Sequence, residues 1–229
     1  MNPQLPLAMS LRPELTLESY VAGANAQLLQ ALRELATGQG LEQLFVSGPA
    51  GSGKSHLLMG TVSAAQGAGH SSAYLPFEEL ARLSPEMLDG LDQLDLLAFD
   101  DLHLVAGNAA WEEALFHLFN RAREKGRRLL FSASHGPSRL ELELPDLASR
   151  LSWGGSYRIQ PLDDAGREAL LLEQARKRGL KMKPQAASWM VSHCSRDPRQ
   201  LLALLNRLDH ASLAARRQLT LAFVREQLG

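Results

Sequence analysis

The stretch Gly48-Pro49-Ala50-Gly51-Ser52-Gly53-Lys54-Ser55 fits the pattern Gly-x-x-x-x-Gly-Lys-Ser/Thr, and each fixed position has a mechanical reason. Glycines reach backbone angles closed to other residues, so consecutive amides can turn inward around phosphate oxygens at the start of a helix. Lys54 is suited to neutralise the outer phosphates and the Ser55 hydroxyl to ligate Mg²⁺. A chance match in a chain of this length arises about one time in a hundred. The flanks agree with the motif: Leu44 to Ser47 reads as a short buried strand, and Lys54 to Gln66 as a helix rich in Leu, Met and Ala. Pro49, Ala50, Gly51, Ser52, Gly53, Lys54, Ser55 and the next residue, His56, are therefore the candidate contacts to a nucleotide.

Upstream of the loop, Leu28, Leu29, Leu32 and Leu35 recur at helical spacing from Asn25 onward, and Gly38 and Gly40 stop that helix. Downstream, strands are expected at Ser72 to Leu75, Leu94 to Phe99 and Arg128 to Ala133, with helices between them, notably Trp111 to Glu124. Such alternation implies an α/β fold with a parallel sheet covered by helices on both faces. After a last strand-like stretch, Tyr157 to Gln160, and Pro161, the pattern is helical only: Asp163 to Arg178, Pro184 to Cys194, Pro198 to Ala215 and Leu221 to Leu228. Three parts are expected: a flexible tail over 1–10, an α/β nucleotide-binding domain over 11–161 and an all-helical domain over 162–229.

A phosphate site of this kind needs a carboxylate at the end of a neighbouring buried strand, and Leu96 to Phe99 lead into Asp100 and Asp101. Asp100 is placed to hold the metal together with Ser55, and Asp101 to orient an attacking water. The 229 residues are 45% hydrophobic, enough for a sizeable core. Lys and Arg (24) nearly balance Asp and Glu (25), so no domain-wide basic field exists to hold nucleic acid non-specifically. The single cysteine, Cys194, leaves no intrachain disulfide, which fits a reducing cytosol. No apolar run approaches the roughly eighteen residues that span a bilayer, and no signal-peptide order is seen, so a cytoplasmic protein is expected. His103, His117, His135 and His193 share no ligand spacing, and Trp111, Trp153 and Trp189 read as packing residues.

Four further segments carry a family resemblance that covers nearly the whole chain, from Leu15 to Leu228. Leu15-Thr16-Leu17-Glu18-Ser19-Tyr20-Val21-Ala22-Gly23-Ala24-Asn25 resembles the segment that wraps the nucleotide base in AAA+ ATPases of the DnaA-related branch. Leu129-Leu130-Phe131-Ser132-Ala133-Ser134 is similar to that family's sensor I strand, with either serine available for the role. Leu147-Ala148-Ser149-Arg150-Leu151-Ser152-Trp153-Gly154 resembles the segment bearing the arginine finger, and Arg196-Asp197-Pro198-Arg199-Gln200-Leu201-Leu202 the sensor II helix. Gln4-Leu5-Pro6-Leu7 is similar to the short peptides that plug into the groove of the sliding clamp.

The resemblance implies base contacts by Tyr20 and Val21, a phosphate contact by Arg199, and Arg150 offered in trans to a neighbour's γ-phosphate. It implies ADP, or ATP or another nucleoside diphosphate, with Mg²⁺ as cofactor, and a helical lid as the second domain. It also implies a DnaA-like initiator and the sliding clamp as partners, a homodimer or short filament, no sequence-specific DNA binding, and localisation to the nucleoid through the clamp. With neither a helix-turn-helix domain nor a helicase-binding domain in the sequence, a regulator with at most weak ATPase activity of its own is expected. The alternatives are a helicase loader of the same family and a free-standing P-loop NTPase or small-molecule kinase.

Overall fold

The computed structural model describes residues 11, 12 and 14–229. The chain divides into two compact units, one holding the described residues up to Tyr20 with Asn25–Ile159, the other Val21–Ala24 with Gln160–Gly229.

In the first unit five strands form one parallel sheet. They are β1 (Gln43–Ser47), β2 (Ser72–Pro76), β3 (Leu96–Asp100), β4 (Arg128–Ala133) and β5 (Gly155–Arg158), in the spatial order β2-β3-β4-β1-β5. Every residue of β1, β3 and β4 is buried, as central parallel strands covered on both faces require. The helices are α1 (Ala26–Thr37), α2 (Lys54–Gly67), the short α3 (Phe77–Leu80), α4 (Ala109–Glu124) and α5 (Pro145–Leu151). The expected strand over Leu94 to Phe99 begins instead at Leu96; the Asp95 carboxylate just before it accepts from the Ser71 N–H (2.9 Å) and from Arg127 (2.8 Å). The last strand runs Gly155–Arg158, earlier than Tyr157 to Gln160; its pairing with β1 is set by Leu44 opposite Gly155 and ends with Ser47 opposite Arg158.

Helix α1 buries Leu28, Leu29, Leu32 and Leu35, and ends where Gly38 turns left-handed at φ 75°. Its last carbonyls are satisfied from afar: the Arg128 guanidinium donates to Leu35 O (2.6 Å) and Ala36 O (2.8 Å). Thr16 and Leu17 lie against α2, where a Cβ on Gly60 would stand 2.8 Å from the Leu17 nitrogen. A central aromatic stack, Phe77, Phe99, Phe131 and Phe119, fills the core on the α4 side of the sheet.

The second unit contains α6 (Asp164–Lys177), α7 (Pro184–His193), α8 (Pro198–Ala215) and α9 (Leu221–Leu228). They close on a core of Leu171, Met190, Leu201, Leu205, Leu208 and Phe223, with Met182 and Leu219 joined by an isolated parallel bridge. Asp163 and Thr220 cap α6 and α9 through their side chains. No helix is long and apolar enough to cross a membrane among the described residues.

Candidate phosphate site and arginine helix

The parallel order places three carboxyl-terminal strand ends side by side. β4 lies between β1, which feeds the glycine loop, and β3, which ends in Asp100. The register sets Val46 against Ser132 and Phe99 against Phe131, so Ser132 stands level with Asp100. Open parallel sheets bind ligands at such carboxyl ends.

The glycine loop is shaped by two positive φ angles, 78° at Gly51 and 97° at Gly53, a conformation that side chains disfavour. Space matters as well: a Cβ on Gly53 would lie 2.8 Å from the Tyr20 ring. The first amides of α2 have no intrahelical acceptors, and no side chain caps the helix. Lys54 is 6% exposed and curls over the loop, donating to Gly48 O (3.2 Å) and Pro49 O (3.4 Å). The buried Ser52 Oγ and Asp101 Oδ1 have no hydrogen-bond partner, although Asp101 Oδ1 lies 3.4 Å from Lys54 Nζ. Uncapped amides, a cation and an unpartnered hydroxyl together fit a bound polyphosphate.

Tyr20 closes one side of this loop. Its hydroxyl donates to Ser52 O (3.4 Å), its ring stands edge-on to His56, and burial pushes its phenol up to about 12. His56 is held in turn by Ser19 Oγ (3.1 Å) and Thr16 O (2.9 Å). Val21 falls in the second unit.

On the acidic side, Asp100 is 2% exposed and both its oxygens accept hydrogen bonds, Oδ2 from the Tyr74 hydroxyl (2.7 Å) and Oδ1 from Ser132. Burial, with the Asp100 charge second, pushes that phenol far above its ordinary value, so it remains a donor. Asp100, one of the two candidate metal residues with Ser55, is thus held by Tyr74 and Ser132. Each carboxylate oxygen keeps a further lone pair, and Mg²⁺ is held by few protein ligands beside phosphates; the residues present fit this ion. Asp101 sits at φ 55°, its N–H donating to Ser132 Oγ (3.0 Å). The two serines therefore part: Ser132 is buried between the acids, whereas Ser134 donates its N–H to His103 Nδ1 (3.3 Å). That acceptor role puts the proton of neutral His103 on Nε2. Burial holds His103 below its ordinary value, against the pull of Asp101.

Arg150 stands in the last turn of α5, its Cζ 4.4 Å from the centre of the Trp153 ring and 5.8 Å from that of Phe116. Among the described residues its guanidinium has no carboxylate within ion-pair reach. The helix that carries it is fixed by a buried acid: Glu112, 1% exposed, accepts from Gly107 N–H and Leu144 N–H, both at 2.7 Å. One bond holds the loop that follows Asp101, the other the N-cap of α5. In the second unit Arg199 is exposed and donates to Asp197 (3.0 Å), which also caps α8; the guanidinium beside it holds the Asp197 carboxyl below its usual range.

The family model of the bacterial DnaA ATPase domain matches residues 11–157. The chain belongs to the DnaA-related family of AAA+ ATPases. The model of the Hda lid domain matches residues 164–228, which gives this DnaA-related chain an Hda-type lid and places it among regulators of replication initiation. Solved structures agree in fold. Domain III of DnaA from Thermotoga maritima superposes with a TM-score of 0.84 at 22% identity, covering 95% of this chain and 96% of that one. A replication initiator DnaA bound to AMPPCP and single-stranded DNA gives 0.77 at 20% identity, over 90% and 69%. The Holliday junction branch migration motor RuvB of Thermotoga maritima gives 0.73 at 19% identity, over 95% and 72%.

Of the expected site residues, Pro49 to His56, Tyr20, Asp100 and Asp101 gather around one loop in the first unit. Gln4, Leu5, Pro6 and Leu7 lie outside the described residues. Tyr74, Glu112 and Arg123 escaped the sequence reading; Tyr74 lies in a short strand and Glu112 in a helix whose charges look solvated, so only the fold reveals their partners. Trp153, read as a packing residue, is 40% exposed and serves as a platform for guanidinium groups.

Proposed function

We propose that this chain is an activating partner in replication initiation, acting like Hda, the regulatory inactivator of DnaA. Carrying ADP and Mg²⁺ in its own loop, and tethered to the sliding clamp through Gln4 to Leu7, it offers Arg150 to the ATP held by DnaA and triggers hydrolysis there. The observation that carries this reading is the state of Arg150: it is oriented by an aromatic face and unpaired with any carboxylate among the described residues. A guanidinium so placed can neutralise γ-phosphate oxygens as the bond to the leaving group breaks, an effect worth orders of magnitude in rate.

Within the chain, Lys54 and the α2 amides bind the diphosphate, Ser55 and Asp100 orient the ion, and Tyr20 shields the loop from water. Bound nucleotide supplies fixed negative charge that stabilises the folded loop. Arg199 is assigned the lid contact to the phosphates. Association with the nucleoid follows from the clamp, and a homodimer or short filament is the assembly the family resemblance supports.

The tether is tested by pull-down. Full-length chain is expected to be retained by sliding clamp and not by replicative helicase, and a chain lacking residues 1–8 to lose the clamp while keeping nucleotide affinity. Retention by helicase instead, or clamp retention by the truncated chain, contradicts this reading.

A further inference from the structure

Two helices bring an arginine to the same indole. Arg123 ends α4 and Arg150 ends α5, and their Cζ atoms stand 4.3 and 4.4 Å from the centre of the Trp153 ring. The two charges are therefore less than about 9 Å apart, a separation no longer than roughly one Debye length at about 0.1 M salt. Trp153 is itself anchored, edge to face on the buried Phe119 at 6.4 Å.

The neighbouring cations are treated differently. Arg121, on the same helix as Arg123, pairs with Asp89 (3.6 Å) and Asp92 (3.5 Å); Lys125 pairs with Asp92, and Arg127 with Asp95 (2.8 Å). Arg123 and Arg150 alone in this group have no carboxylate within reach among the described residues. Two like charges held together without a counter-charge repel each other, and the ring quadrupole offsets only part of that. A multiply charged anion relieves it, and planar guanidinium forks suit phosphate oxygens in particular.

We infer that Arg123 is a second trans-acting arginine: with Arg150 it forms a two-guanidinium site on Trp153 that grips the triphosphate of the neighbouring subunit. Arg150 meets the γ-phosphate and Arg123 its flank, while Trp153 is a positioning residue that fixes the spacing of the two forks. This rests on the activating role proposed above. A lone arginine at a helix end is a common device for the helix dipole, but the dipole does not require that its guanidinium share an exposed indole with Arg150.

The test is hydrolysis of DnaA-bound ATP in the presence of clamp-loaded DNA, with Arg123→Ala, Arg123→Gln, Arg150→Ala, Trp153→Phe and Trp153→Leu. Arg123→Ala and Arg123→Gln are expected to lower the stimulated rate about tenfold or more, and Trp153→Leu to do likewise while Trp153→Phe retains most of it. ADP-induced thermal stabilisation and clamp retention should match the parent in every case, which separates loss of the site from loss of fold; Arg123→Gln keeps a planar group over the ring should Arg123→Ala unfold. If Arg150→Ala abolishes stimulation while both Arg123 variants stimulate like the parent, the second arginine is wrong and the activating role stands. If Arg150→Ala itself stimulates like the parent, both fall.

Discussion

The Tyr74 hydroxyl donates to Asp100 Oδ2 at 2.7 Å, so a buried phenol fixes one of the two candidate metal residues. Removing such an outer partner costs metal affinity about tenfold or more. Tyr74→Phe is therefore expected to weaken ADP binding measured calorimetrically with Mg²⁺ and to leave binding in EDTA unchanged. Equal losses under both conditions would place Tyr74 outside the metal side of the site.

Glu112 is buried with two amide donors and no cation. Glu112→Gln keeps the shape but turns one acceptor into an NH₂ group facing an N–H, at a cost of about 2 kcal/mol. For a chain of this size the melting temperature should fall by about 4–8 °C. Because one bond holds the start of α5, stimulation of DnaA should drop beyond what the remaining folded fraction explains. A variant with parental melting and activity would show that the carboxylate does not brace the arginine helix.

The contrast between what the sequence reveals and what it hides has a physical basis. Central parallel strands are buried on both faces and read as unbroken apolar runs, and the loop glycines sit at fixed offsets, so β1, β4 and the phosphate loop are visible at once. Residues such as Tyr74, Ser132 and Glu112 act through partners 26 to 32 positions away, and nothing local marks them. Asp95 reads only as a strand position after Leu94, and its carboxylate bonds to Ser71 and Arg127, 24 and 32 positions away, appear only in the fold. Trp153 has the composition of a core residue; its exposure and its two cations follow from where α4 and α5 end.

His103 gives a pH dependence. Its Nδ1 accepts from Ser134 N–H, so the folded form favours neutral imidazole, and burial keeps it below its ordinary value. The unfolded chain therefore binds more protons as the pH drops past about 6.5. The stability contributed by the neutral ring is present above that pH and is lost as the pH falls through the folded value. His103→Asn retains an acceptor without titrating, so its melting temperature should decline less than the parent's between about pH 8 and 5. Parallel declines would remove His103 as the source.

Lys54→Ala removes the cation over Gly48 O and Pro49 O and leaves Asp101 without it. A ligand at about a hundred times its dissociation constant adds about 2.7 kcal/mol to stability. The upward shift in melting temperature that ADP gives the parent should be largely absent in the variant. A full shift would mean that Lys54 is no phosphate ligand.

The central claim is that Arg150 serves a nucleotide on another chain, and the most direct measurement is ATP turnover by DnaA on clamp-loaded DNA with Arg150→Ala and Arg150→Lys. Both variants should keep the fold, the ADP-induced thermal shift and clamp retention, and both should lose stimulation. Arg150→Lys loses it because an ammonium on a flexible stem cannot reproduce the planar fork on two phosphate oxygens or its stacking on Trp153. Full stimulation by Arg150→Ala would contradict the account.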